Sequence, residues 1–186
     1  LGGEIFVEII PDSGNTFTVE LEKASSQSSL IQELSGLSQS VTNLEVLCGA
    51  CILLCEGNEV SQETTRLYLK RLGCHPKIAE SGKVGFEYWE KNTYDLILMD
   101  CQMPVMDGFE TTRRIRKLEF NPTSSGRTPI VALTAFAMEG ERNRCIAAGM
   151  DNYLSKPFTA HQLAKTLIAT ISKVDEKHDK VLPVGG

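Results

Sequence analysis

From about residue 44 onward, apolar positions along the chain follow two alternating rhythms. Short unbroken apolar runs bounded by turn residues read as strands buried on both faces, and longer stretches with apolar residues three and four apart read as amphipathic helices. The pattern predicts a strand over Val46–Cys55, then a helix over Glu59–Leu72 with Val60, Thr64, Leu67 and Leu72 on its inner side, then a short strand Lys77-Ile78-Ala79. A helix over Lys83–Lys91 turns Val84, Phe86 and Trp89 inward, a strand follows at Asp95–Met99, and a helix over Gly108–Leu118 leads into a loop at 121–126. Strand Pro129–Leu133, helix Glu139–Ala148, strand Asn152–Ser155 and helix Ala160–Ile171, with Leu163, Leu167 and Ile171 facing in, complete the series. Gly73 and Gly149 stand where helices stop at a C-cap.

Five strand–helix repeats predict an α/β fold, a doubly wound five-stranded parallel sheet with helices on both faces. The flavodoxin-like strand order 2-1-3-4-5 is the natural arrangement. Upstream, Glu4–Ile9 and Thr16–Leu21 flank the turn Pro11-Asp12-Ser13-Gly14-Asn15 and read as a β-hairpin over residues 1–23. A lone hairpin is marginal in water, so it reads as the end of a larger sheet. Residues 24–43 shift to Ser, Gln and Gly and read as a linker, although Leu30, Ile31, Leu34 and Leu37 keep the spacing of a short helix. Residues 44–173 form the α/β domain, and 174–186 a charged, Pro/Gly-ended tail.

Composition removes some options. The chain has 186 residues and a net charge of −5, without the basic stripe of a nucleic-acid footprint. Six Cys, at 48, 51, 55, 74, 101 and 145, fall mostly in apolar or helical segments and read as buried free thiols in a reducing cytosol. Cys48 and Cys51 open a zinc half-site, but no second ligand pair follows at suitable spacing. No apolar run approaches the ~20 residues that span a bilayer. A cytoplasmic fragment without direct membrane contact is expected, which leaves a larger parent free to be membrane-anchored.

The candidate chemistry lies at the strand ends. Leu96-Ile97-Leu98-Met99 stops abruptly at Asp100, before a Pro/Asp/Gly turn. That carboxylate is either a structural cap on the turn or an acid presented to a metal or a phosphoryl group. Glu56 follows the first strand, Thr134 the fourth and Lys156 the fifth. In a doubly wound sheet these carboxyl ends are adjacent, so two acids, a hydroxyl and a lysine converge on one cleft. With a hard cation such a set suits an oxyanion: lysine neutralises it, threonine donates to it, and Asp is a competent nucleophile.

Three separated motifs, Met99-Asp100-Cys101-Gln102-Met103-Pro104-Val105-Met106-Asp107-Gly108, Pro129-Ile130-Val131-Ala132-Leu133-Thr134-Ala135 and Gly149-Met150-Asp151-Asn152-Tyr153-Leu154-Ser155-Lys156-Pro157-Phe158, resemble the receiver domain of a response regulator, of the kind fused to hybrid sensor histidine kinases. The resemblance covers about Val46 to Ile171. It implies that Asp100 accepts a phosphoryl group from a histidine, that Thr134 and Lys156 contact that group, and that Mg²⁺ is the cofactor. Glu56, Asp100 and the backbone carbonyl of Gln102 would hold the metal. Tyr153 would be an aromatic switch coupled to Thr134, and the Lys156–Pro157 bond would be cis. Partners would be the histidine kinase core in cis or a histidine phosphotransfer protein. Likewise Leu1-Gly2-Gly3-Glu4-Ile5 and Ser13-Gly14-Asn15-Thr16-Phe17 resemble the closing segment of a sensor histidine kinase ATP-binding domain. The upstream Asn- and Gly-rich boxes for ATP are absent, so kinase activity is not expected in these residues.

One position departs from the pattern. The family usually has two adjacent acids after the first strand, and here Glu56 is followed by Gly57. Mg²⁺ sites often manage with one or two carboxylates plus water and phosphate oxygens, so binding is weakened rather than excluded. Gly57 motivates the alternative of a degenerate receiver that regulates its kinase by docking alone. A third reading, an aspartate-nucleophile phosphohydrolase, lacks its second acid, because Gln102 stands two residues beyond Asp100 and cannot transfer that proton. A flavin site fails for want of a phosphate cradle after the first strand. His75, His161 and His178 read as surface histidines, Phe136 as a surface aromatic near the site, and Trp89 as core.

Overall fold

A computed structural model describes residues 3–10, 14–21, 45–119, 126–135 and 139–178, and the chain divides into two units, 1–39 and 40–186. In the first, β1 (Gly3–Ile10) pairs antiparallel with β2 (Gly14–Leu21), in register from Gly3 opposite Leu21 to Ile10 opposite Gly14. This is the expected hairpin. Its turn at 11–13 and the linker with its candidate helix lie outside the described residues.

The second unit opens with a 3₁₀ turn at Glu45–Leu47, followed by β3 (Cys51–Cys55), α1 (Glu59–Arg71), β4 (His75–Ala79), α2 (Gly82–Lys91), β5 (Leu96–Asp100), α3 (Gly108–Glu119), β6 (Ile130–Thr134), α4 (Glu139–Ala148), β7 (Asn152–Ser155) and α5 (Ala160–His178). The sheet is parallel, in the order β4-β3-β5-β6-β7, the anticipated 2-1-3-4-5. β5 and β6 are buried at every position, which is why they read as unbroken apolar runs rather than alternating ones. Successive side chains leave opposite faces, giving two cores. Ile52, Leu54, Leu98 and Leu133 pack with Leu163 and Leu167 of α5, while Leu53, Ile97, Met99 and Ala132 pack with Phe109 and Ile115 of α3.

Several boundaries differ from the sequence reading for local reasons. The first strand begins at Cys51 rather than Val46, because Leu47 is drawn into the 3₁₀ turn and Gly49, at φ 83°, reverses the chain. The buried side of α1 is carried by Thr65 and Leu69, with Tyr68 and Leu72 beside them, and not by Val60, Thr64 and Leu67. Val60 is 76% exposed. Both stripes keep helical spacing, so the periodicity alone does not select between them. The third strand includes Asp100 itself, and the fourth includes Thr134. The last helix continues through His178, past the expected end at Ile171, since no glycine or proline interrupts residues 172–178. Trp89 is half-buried and donates its indole N–H to Thr128 Oγ1 at 3.0 Å. Cys48 and Cys51 are exposed rather than buried. Burial pushes the Cys74 thiol up to about 11 and the Cys55 thiol up to about 12.

A buried charge network closes the end of the sheet opposite the strand carboxyl termini. Arg116 of α3 donates to Gly149 O (2.8 Å), Thr128 O (2.9 Å), Glu119 Oε2 (2.6 Å) and Asp151 Oδ2 (2.7 Å). Ile130 N–H donates to the same Asp151 oxygen at 2.9 Å, and Thr128 N–H to Glu119 Oε1 at 2.7 Å. No motif announced this network in the sequence. A buried guanidinium needs all of these acceptors, and they come from its own helix, from the stretch before β6 and from the connection between α4 and β7.

Gly108 marks where α3 meets the sheet, since a Cβ there would lie 2.2 Å from the carbonyl oxygen of Asp100. Backbone cannot yield as a side chain does. Gly108→Ala is therefore expected to destabilise the fold by about 3 kcal/mol, measured as a lowered urea midpoint at unchanged m-value.

Candidate functional site

The carboxyl ends of β3, β5, β6 and β7 bring Glu56, Asp100, Thr134 and Lys156 to one edge, as the strand-end pattern predicted. Lys156 Nζ donates to Glu56 Oε2 and lies 3.0 Å from Asp100 Oδ2, so a single ammonium bridges both carboxylates. The second oxygen of each acid is held by backbone: Asn58 N–H donates to Glu56 Oε1 at 3.0 Å, and Gln102 N–H to Asp100 Oδ1 at 3.1 Å. Asn58 is also the N-cap of α1, its Oδ1 accepting from Ser61 N–H at 3.0 Å. The start of α1 therefore orients Glu56. Lys156 is placed by its own N–H, which donates to Thr134 O at 2.7 Å, and the following Lys156–Pro157 bond is cis as expected.

Burial is graded across the site. Glu56 is 1% exposed, Asp100 8% and Thr134 3%, while the Lys156 side chain reaches the mouth at 23%. Burial raises the Glu56 carboxyl above its usual range, against the Lys156 hydrogen bond that pulls it down. For Lys156 burial works to lower the pKa, but hydrogen bonds to Glu56 and Asp100 outweigh it and leave the ammonium above its ordinary value. The lysine is thus held charged between two acids.

The loop after β5 carries backbone strain. Val105 has φ 69°, rare for a β-branched residue, and its side chain is 90% exposed. Met106 N–H closes on Pro104 O at 2.8 Å, and Asp107 caps α3 by accepting from Glu110 N–H at 2.7 Å. Pro104 also borders the departure from the usual acid pair, since a Cβ on Gly57 would lie 3.2 Å from Pro104 Cδ. Gly57 has no positive φ that would demand glycine. Tyr153 on β7 is partly exposed, with the Arg142 guanidinium 5.7 Å from its ring centre. Phe136 lies outside the described residues.

The donors suit a hard divalent cation. Glu56 and Asp100 offer only carboxylate oxygens, both within reach of one cationic atom, and Mg²⁺ commonly takes one or two carboxylates with water completing the shell. Gly57 contributes none. The residues present fit Mg²⁺ with fewer protein charges than an acid pair would give.

Residues 52–168 match the model of the response regulator receiver domain. The chain belongs to that family. Among similar structures, the receiver domain of a sensor histidine kinase from Pseudomonas aeruginosa PAO1, with magnesium coordinated in its active-site cleft, is 39% identical, with TM-score 0.60 over 67% of this chain and 99% of that one. A chain in the co-crystal structure of the Saccharomyces cerevisiae histidine phosphotransfer protein Ypd1 and the receiver domain of its downstream response regulator Ssk1 is 27% identical, with TM-score 0.63 over 68% of this chain and 92% of that one. Hybrid signal transduction histidine kinase I of Dictyostelium discoideum is 32% identical over 171 residues, 89% of this chain and 9% of the kinase. The receiver chain spans between 3 and 14% of the length of the curated relatives it matches.

Removing the bridging ammonium leaves two recessed carboxylates facing each other. Lys156→Met is expected to destabilise this receiver by about 2 kcal/mol near neutral pH. Without Lys156 the folded-state pKa of Glu56 rises further above its unfolded value, so stability falls as pH climbs through that window. The loss relative to the parent chain should therefore shrink towards pH 5, as read by denaturant midpoints at several pH values.

Proposed function

We propose that Asp100 of this receiver is the acceptor for a phosphoryl group delivered by a phosphohistidine. Phosphorelay signalling is the work of the family to which the chain belongs. The observation that carries the residue assignment is the Lys156 ammonium 3.0 Å from Asp100 Oδ2, with Glu56 on its other side. In the step itself an Asp100 oxygen forms the bond to phosphorus while the bond from phosphorus to the histidine nitrogen breaks, and the nitrogen leaves with its electron pair. Lys156 keeps its proton and moves its charge from the carboxylate to the phosphoryl oxygens. Thr134, buried at the end of β6, donates its hydroxyl to that group. Glu56, Asp100 and the Gln102 carbonyl would hold Mg²⁺, which supplies charge neutralisation for the transferring group. Movement of Thr134 towards the phosphoryl group would open space for Tyr153 to swing inward from its exposed position, changing the surface read by a partner.

The partner is a histidine phosphotransfer protein or the histidine-bearing core of the parent kinase, and the yeast complex of a phosphotransfer protein with a receiver supports this class. A cavity of about 320 Å³ beside Lys156, lined by Val60, Thr64, Pro157 and Phe158, supports an apolar contact next to the acceptor. The exposure of Val60 has its rationale there. The match to the Dictyostelium kinase extends well beyond residues 52–168, which supports reading 1–23 as the end of a kinase ATP-binding domain in a hybrid parent. Among the described residues no helix is long and apolar enough to cross a membrane. The phosphohistidine donor proposed here supports a cytoplasmic position, whether or not the parent is anchored.

Incubation with acetyl phosphate and Mg²⁺ should add one phosphoryl group by intact mass, and Asp100→Ala should abolish it. Absence of any adduct, even with a phosphorylated histidine phosphotransfer donor, would establish the degenerate, docking-only receiver instead. Gly57→Asp should tighten Mg²⁺ roughly tenfold in a titration, because a further carboxylate joins those of Glu56 and Asp100. The shift of a few tenths of an ångström asked of Pro104 is small enough to allow it.

A further inference from the structure

We propose that Arg116 and Asp151 are a positioning pair for the transfer site: they fix the register of β7 and so determine where Lys156 stands. The inference rests on the assignment of Lys156 to phosphoryl transfer. Lys156 immediately follows β7, a strand of only four residues at the edge of the sheet, paired to β6 alone from Val131 opposite Asn152 to Thr134 opposite Ser155. So short an edge strand carries little of its own to specify register. A slip of one residue displaces the chain by about 3.3 Å and turns every side chain to the other face. Lys156 would then lose both carboxylates.

The strand is pinned at its start. Asp151 N–H donates to Ile130 O at 2.8 Å, and Asp151 Oδ2 accepts from Ile130 N–H at 2.9 Å, so this one residue grips both backbone groups of its β6 neighbour. The same Oδ2 accepts from Arg116 Nη2 at 2.7 Å. Arg116 is buried and also donates through Nε to Gly149 O, the residue that ends α4 just before β7. Arg127 reaches Asp151 Oδ1 as well, but its side chain is 52% exposed and its pull is screened.

Arg116 sits near the end of α3, and the same helix begins at Gly108, whose N–H contacts Cys101 O at 3.4 Å, one residue past the acceptor. One rigid helix therefore has the acceptor loop at its first turn and the clamp on β7 in its last. The distance between Asp100 and Lys156 is set through α3 and Asp151, in addition to the ion pair between them. A merely structural salt bridge would stabilise the fold without any particular tie to Lys156.

A double-mutant cycle on the whole chain separates the two. Initial rates of phosphorylation by acetyl phosphate with Mg²⁺, followed by intact mass, are compared for the parent chain, Arg116→Met, Lys156→Met and the double variant. If the pair acts through Lys156, Arg116→Met slows the reaction by about tenfold or more, and the double variant is no slower than Lys156→Met alone within about twofold. Leu167→Ala, buried against the other face of the sheet, is the stability control and should keep the parent rate. Rate losses that multiply in the double variant, or an equal loss in Leu167→Ala, would overturn the inference and leave Arg116 a stabilising residue only. Should Arg116→Met fail to fold, Asp151→Asn replaces it in the same cycle with the same expected outcomes. A Lys156→Met chain as fast as the parent would overturn the assignment of Lys156 first, and the positioning role with it.

Discussion

The candidate site is governed by one electrostatic fact, a lysine ammonium held between two recessed carboxylates at the edge of a parallel sheet. Like charges so close in a low-dielectric setting repel strongly, and a cation is what lets them share the space. Lys156 is that cation in the resting chain. Any metal entering the site meets the same two acids, and any phosphoryl group meets the same lysine. Binding at this edge is therefore a redistribution of charges already present, which requires little new structure. The parallel sheet makes this possible because four different strands end side by side, each delivering one functional group.

Much of this was legible because buried strands and strand-terminal polar residues leave plain marks in a sequence. Leu96–Met99 followed by Asp100, and Ile130–Leu133 followed by Thr134, mark the change from core to edge without ambiguity. Glu56 and Lys156 could be placed by the same logic, and the motifs that resemble receivers agreed. Helix faces were less legible. Val60, Thr64 and Leu67 keep the same periodicity as Thr65 and Leu69, and spacing cannot say which stripe meets the sheet when each contains a threonine. The first strand was read too long because an apolar run does not disclose a glycine-driven reversal at Gly49.

Illegible altogether were features made by residues distant in the chain. Arg116, Glu119, Thr128, Gly149 and Asp151 converge only after α3, β6 and β7 are assembled, and an arginine on a helix reads as solvated until its acceptors are known. The strained φ of Val105 is equally silent, since valine is the last residue that propensity would place in a left-handed turn. Gly57 is the opposite case. Its identity is obvious in the sequence, but only its neighbourhood shows that a Cβ there would press on Pro104, which would have to give by a few tenths of an ångström.

The recession of Asp100 beneath Lys156 also sets a geometry of approach. One of its oxygens accepts from the Gln102 N–H, the other faces the Lys156 ammonium, and the residue is 8% exposed. A donor to the acceptor proposed above would present its phosphorus first and keep the rest of its bulk outside. On that reading a molecule of a few atoms and an entire folded protein would meet the same recessed carboxylate, and what discriminates between them would be written on the rim around it.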